Sequence, residues 1–185
     1  MIDGNFARAN GITGKVTYVF SLGDQFIHGI FHNSGNVTQV KNLGLGRTFP
    51  PEMVVGFIKS AVPKVGVKAI GIAVAGPVHN GAVASFPNGW GPGVRDFPLA
   101  KELRKIFNVP IEIVNNGTAR LLFEKRYGHA KFLNSVGLVV VDRGAGLKLF
   151  SNGRVIVGPD GQDGEIGHFT VANNSHVICG CGEPD

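Results

Sequence analysis

Two short apolar runs constrain the fold of this chain more than any other feature. Residues 67–75 and 111–114 are mostly apolar, and each run stops abruptly, the first at Gly76-Pro77 and the second at Asn115-Asn116. Runs of this kind are typical of strands that are buried on both faces of a parallel sheet. Residues 98–107, between them, repeat apolar side chains at helical spacing and predict the connecting helix. The sequence therefore predicts an α/β fold.

The end of the second run is the predicted ligand site. A helical pattern begins at Thr118, directly after Asn115, Asn116 and Gly117. In open α/β sheets, ligands bind just beyond the carboxyl ends of the strands. We therefore expect Asn115 and Asn116 to lie beside a ligand.

The segments before this unit predict strands and one helix. Residues 16–23, 25–32 and 37–42 predict three antiparallel strands joined by short turns. Pro50-Pro51 predicts the start of a helix, and residues 78–96, which contain the only tryptophan, predict a long loop. The apolar face of the helix is expected to consist of Met53, Val54, Phe57, Ile58 and Val62.

The segments after this unit return to strands. A helix is predicted from Thr118 to about Gly128, followed by strands over residues 136–142, 146–151 and 154–157. Asn152-Gly153 is typical of the tight turn of a β-hairpin.

Composition excludes some classes of function. The 185 residues suit one domain or slightly more, and the net charge of +5 permits a nucleic-acid partner. The basic residues are scattered without interleaved aromatic side chains, which favours a solvated surface over a nucleic-acid groove. No apolar run approaches the roughly 20 residues that span a bilayer, and the N-terminus lacks a signal-peptide pattern. We expect a cytoplasmic protein that binds neither membranes nor nucleic acid.

Several motifs together resemble one family. Gly164-Glu-Ile-Gly-His168 is followed by Cys179-Gly-Cys-Gly182, and both come after Gly76-Pro77, Phe86-Pro-Asn-Gly-Trp90 and Asn115-Asn116. In this order the chain resembles the ROK family of bacterial sugar kinases and sugar-responsive transcriptional repressors. The resemblance implies an actin/hexokinase-like ATPase-domain fold with ribonuclease H-like lobes. We expect a loop over residues 1–14, a complete first lobe over 15–117, and a second lobe that begins at 118 and is cut short at 185.

The resemblance also implies a zinc site. His168, Cys179 and Cys181 match three zinc ligands of the family, and one imidazole with thiolates suits a tetrahedral structural site. The third cysteine of the family pattern is missing, so that either the chain is truncated, or Asp185 or a water molecule completes a weaker site. The alternative is two free thiols near an unrelated histidine.

The sugar-binding positions of the family are mostly kept. Asn88, Asn115, Asn116, Glu165 and His168 match positions that would contact a hexose. Glu165 could instead only position its loop, and Asn88 could form an Asx-turn.

The catalytic and phosphate-binding positions are altered. The kinases have an aspartate base where this chain has Asn116, and an amide cannot take a proton near neutral pH. In the first phosphate turn, residues 20–25, only Gly23 is kept. In the second turn, residues 142–146, Gly144 and Gly146 are kept and Arg143 replaces a threonine. We therefore do not expect ATP and magnesium to bind.

Three hypotheses about function follow. The first is a sugar-binding sensor domain without phosphoryl transfer, and the second is a glucokinase-like kinase that phosphorylates a hexose with ATP. The third is a decayed fragment without a ligand. Because the second lobe is cut short, we expect apolar surface over residues 119–185 and association with another copy or with a missing C-terminal half.

Overall fold

The computed structural model describes residues 16–22, 26–33, 36–44, 48–63, 67–142 and 144–169 of the chain. Its largest sheet has five strands in the order β3-β2-β1-β4-β8. Strands β1 to β3 pair antiparallel, whereas β4 lies parallel to both β1 and β8. The predicted meander and the two predicted parallel strands are therefore confirmed. Their bounds are Val16–Leu22 for β1, Phe26–Asn33 for β2, Asn36–Gly44 for β3, Ala69–Val74 for β4 and Ile111–Asn115 for β8.

Two helices pack beside this sheet and contribute to its core. Helix α1, Pro51–Ala61, begins at a proline as predicted, and Val54 and Ile58 are buried. Met53 is exposed, so its predicted place on the apolar face of the helix was wrong. Helix α3, Leu99–Arg104, is shorter than predicted because the chain turns at 105–106 after Leu103 has entered the core.

The segment predicted to be a long loop is a small folded unit. Strands β5, Val78–His79, β6, Ala82–Ser85, and β7, Arg95–Phe97, form a three-stranded antiparallel sheet. Helix α2, Pro87–Trp90, lies between β6 and β7. The Trp90 ring packs edge-on between Phe86 and Phe97, at centroid distances of 5.6 and 5.4 Å. This aromatic cluster supplies the core that holds such short strands in place.

A second sheet follows the long helix α4, Asn116–Tyr127. It consists of β9, Ser135–Val141, β10, Ala145–Ser151, and β11, Arg154–Ile156, and its turn at Asn152-Gly153 confirms the predicted hairpin. Helix α4 packs on this sheet. Large apolar side chains on the sheet remain solvent-exposed, up to 78% for Val141, as expected for this part of the chain. They are Val139, Val141, Leu149 and Ile156.

None of the helices within the described residues is long and apolar enough to cross a membrane.

Candidate functional site

The side chain of Asn115 ties together the ends of two neighbouring strands. Its Nδ2 donates to the carbonyl oxygen of Gly76, just beyond β4, at 3.0 Å. Its Oδ1 accepts from the backbone amides of Gly117 at 2.8 Å and Thr118 at 3.4 Å. Asn115 is therefore the N-cap of α4, which starts two residues earlier than the sequence predicted. Within the described part of the chain, the second N–H of its amide group has no partner and could donate to a ligand.

Asn116 lies in the first turn of α4, and its side chain makes fewer hydrogen bonds to the described residues than that of Asn115. Its Oδ1 accepts from the backbone amide of Gly117 at 2.8 Å, the same amide that bonds to Asn115. Within the described residues, Nδ2 of Asn116 has no hydrogen-bond partner, and the residue is half-buried. Its two N–H groups can donate to a ligand, but the side chain has no carboxylate to act as a base.

The loop before the Gly-Glu-Ile-Gly-His motif lies against strand β5 of the small sheet. Gly161 is buried, with a φ of +71°, and a Cβ placed on it would lie 2.2 Å from the carbonyl oxygen of Val78 in β5. Only glycine permits both this backbone conformation and this approach. The loop that contains Gly161 therefore packs closely against the small sheet that follows β4.

Glu165 and His168 lie side by side on the surface at the end of this loop. The motif forms a short 3-10 helix, Ile166–His168, which places the Glu165 carboxylate 3.9 Å from Nε2 of His168. Their side chains are 49% and 48% exposed. One carboxylate and one imidazole facing solvent together can bind vicinal hydroxyl groups.

Four of the predicted site residues lie wholly or partly outside the described structure. Gly23, Cys179 and Cys181 are outside the described residues. The backbone of Asn88 lies in α2, but the structure does not describe its side chain. The described residues contain no cluster of three or more potential metal ligands, and two of the three predicted zinc ligands are not among them. His168 is exposed enough for a metal ion to reach it, and an imidazole with two thiolates is a donor set that zinc favours.

Two segments match phosphate-binding turns only through the family resemblance, and residues 23–25 of the first lie outside the described structure. Phe20 is fully buried and packs edge-on against Phe57 at 6.1 Å, so its side chain belongs to the core. At Gly144 and Gly146, no atom of the described residues other than the chain neighbours lies within 4 Å of the position that a Cβ would occupy, so these residues do not require glycine there. The Asp142 amide donates to the Gly144 carbonyl oxygen at 2.9 Å, which closes the turn between β9 and β10.

Lys148 of β10 and Asp163 form a buried ion pair that was not predicted from the sequence. Nζ of Lys148 lies 3.1 Å from Oδ2 of Asp163, and the lysine is only 5% exposed. The one available signal was a lysine between two leucines, Leu147 and Leu149, in the middle of a predicted strand. That pattern is equally typical of a strand with one solvated face, so it could not identify a buried lysine.

The chain is similar in sequence to both sugar kinases and a transcriptional repressor. Over 114 residues the chain is 32% identical to the N-acetylmannosamine kinase of Shigella boydii, covering 61% of this chain and 38% of the kinase. It is 34% identical over 119 residues to the xylose repressor of Bacillus spizizenii, covering 63% of this chain and 30% of the repressor. The chain thus matches well under half the length of these curated relatives.

A solved structure shows the same fold. The ROK family glucokinase of Streptomyces griseus, in complex with glucose and AMPPNP, superposes with a TM-score of 0.74 at 24% identity. The match covers 91% of this chain and 55% of the glucokinase. This likeness confirms the predicted actin/hexokinase-like fold. The model of the ROK family matches residues 23–185, and the chain therefore belongs to the ROK family.

Proposed function

We propose that this chain is a sugar-binding ROK domain of the sensor type that has lost phosphoryl transfer. The observation that carries the proposal is the amide of Asn116 at the N-terminus of α4, the position that the family resemblance assigns to the catalytic base. A positioned general base typically contributes about 10²–10⁴-fold to a rate. An amide at this position can still bind a hydroxyl group.

The first phosphate turn supports the same proposal. The position that corresponds to the aspartate of the kinases falls on Phe20 or Ser21, and Phe20 is fully buried in the core. A phenyl ring that packs on Phe57 offers neither a hydrogen bond nor a charge to magnesium or phosphate. Base and phosphate elements are thus altered together, whereas the sugar positions remain.

The ligand that fits the remaining positions is a monosaccharide. Asn116 would donate to a hydroxyl, Glu165 would accept from one or two hydroxyls, and the neighbouring His168 would complete the contact. Asn88 and the remaining N–H of Asn115 are further proposed contacts. The relatives' names suggest N-acetylmannosamine, xylose and glucose as the first sugars to examine.

A kinase is the second candidate. It is favoured by the open space at Gly144 and Gly146, where a phosphate could approach the backbone closely. The similarity to an N-acetylmannosamine kinase and a glucokinase also favours a kinase. A decayed fragment, the third candidate, would bind no sugar at all.

Titration calorimetry with the three sugars tests the proposed binding. We expect at least one sugar to bind, and Glu165→Ala to weaken its binding tenfold or more, because a hydrogen bond to a charged group contributes about 1.5–3 kcal/mol. Glu52→Ala is the matched control, since Glu52 is an exposed carboxylate on α1. Absence of heat for every sugar, with folded protein, would favour the decayed fragment.

Release of ADP from ATP and magnesium separates the sensor from the kinase. We expect no sugar-dependent release from the unaltered chain, because Asn116 cannot accept the hydroxyl proton. Asn116→Asp should not create activity either, since the turn at residues 20–25 is also changed. Sugar-dependent ADP release by the unaltered chain, abolished by Glu165→Ala, would establish the kinase instead.

Asn115 and Asn116 should differ in how much they contribute to the stability of the fold. Asn115→Ala should lower the free energy of unfolding by about 1–2 kcal/mol, because it removes an N-cap and leaves the Gly76 carbonyl without its donor. Asn116→Ala should change stability much less, since the Gly117 amide keeps its bond to Asn115. Urea unfolding measures both. Equal losses of stability would show that Asn116 also has a structural role.

We also propose zinc bound by His168, Cys179 and Cys181. Metal analysis of the purified protein should find about one zinc ion per chain, and His168→Ala or Cys179→Ser should remove most of it. His129→Ala is the control, because His129 is exposed and lies near only Glu124 among potential ligands in the described part of the chain. Unchanged zinc content in His168→Ala would show that the ion is held elsewhere.

A further inference from the structure

Lys148 is a buried lysine, and among the described residues its ammonium group is bonded only to Asp163. Its Nζ donates to the carbonyl oxygen of Asp163 at 2.8 Å and to the carboxylate of Asp163 at 3.1 Å. The side chains are 6% and 14% exposed. Lysine is almost never buried unless it is paired, and a buried pair is often no more stable than apolar side chains of similar size. Stability alone therefore does not explain the pair.

The stem of Lys148 lies against the start of α4. A Cβ placed on Gly117 would be 3.1 Å from Cγ and 3.2 Å from Cε of Lys148. The lysine thus packs beside the corner formed by Asn115 and Asn116. Gly117 leaves the room that the stem needs.

The segment that carries Glu165 and His168 is held on the same strand. The amide of Leu147 donates to the carbonyl oxygen of Gly164 at 2.7 Å, next to the Lys148–Asp163 pair. A Cβ on Gly164 would lie 1.8 Å from the Leu147 oxygen. A Cβ on Gly167 would lie 2.6 Å from the oxygen of Ala145. Strand β10 is thus hydrogen-bonded to the segment at Gly164 and lies close to its backbone at Gly164 and Gly167.

We propose that Lys148 and Asp163 are positioning residues for sugar binding. The pair fixes Glu165 and His168 relative to Asn116, because Lys148 contacts the start of α4 and its ammonium holds both the main chain and the side chain of Asp163. Neither residue touches the sugar. The inference rests on the proposed sugar-binding function, and it concerns the geometry of that same site.

Hydrogen exchange at the Leu147 amide tests the pair independently of any sugar. This amide bonds to Gly164, so its exchange reports how firmly the segment is held. Lys148→Met should speed its exchange tenfold or more. Lys105→Met is the matched control, because it breaks an exposed lysine pair with Glu102 and should leave that exchange unchanged. Unchanged exchange in Lys148→Met would overturn the proposal.

Sugar affinity tests the positioning role. With whichever of N-acetylmannosamine, xylose and glucose binds the unaltered chain, Lys148→Met should weaken binding tenfold or more. The double variant Lys148→Met with Asp163→Leu should regain stability towards urea without regaining affinity. Recovered affinity in the double variant, or full affinity in Lys148→Met, would overturn the proposal. If the unaltered chain binds none of the three sugars, the proposed function fails, while Leu147 exchange still decides whether the pair holds the segment.

Discussion

The site depends on one asparagine that makes three hydrogen bonds to the main chain. Asn115 joins the chain just after β4, through Gly76, to the first turn of α4, through Gly117 and Thr118. Buried backbone groups beyond the end of a sheet need such partners, because water does not reach them freely. This cap sets the direction in which α4 leaves the sheet and hence the position of Asn116. The second sheet packs on α4.

We propose that around this corner the chain keeps the means to bind a sugar and has lost the means to transfer phosphate. The half that would face the sugar has side-chain amides, a carboxylate and an imidazole that are accessible. The half that would face phosphate has Phe20 in the core and an amide where a base is needed. Loss of catalysis with retention of binding is physically simple, since hydroxyl recognition needs only donors and acceptors, whereas proton transfer needs a group of suitable pKa.

Much of the fold could be predicted because its patterns are local. The apolar runs predicted the parallel strands, Pro51 the start of α1, and Asn152-Gly153 the hairpin, where both residues have positive φ. The small sheet over residues 78–97 was missed because strands of two to four residues show no periodicity. The helix start at Asn116 was placed late, because the bonds of its cap become visible only in three dimensions. The Lys148–Asp163 pair was missed because its partners lie 15 residues apart, with nothing in the sequence to relate them.

The central claim is that the sugar half of the site works without the phosphate half. A nuclear magnetic resonance titration, with the side-chain amide of Asn116 and the backbone amides of Gly144 and Gly146 assigned, tests it most directly. We predict that a sugar shifts the Asn116 signals and that ATP with magnesium shifts none of the three. Shifts at Gly144 and Gly146 that saturate with ATP and magnesium would contradict it.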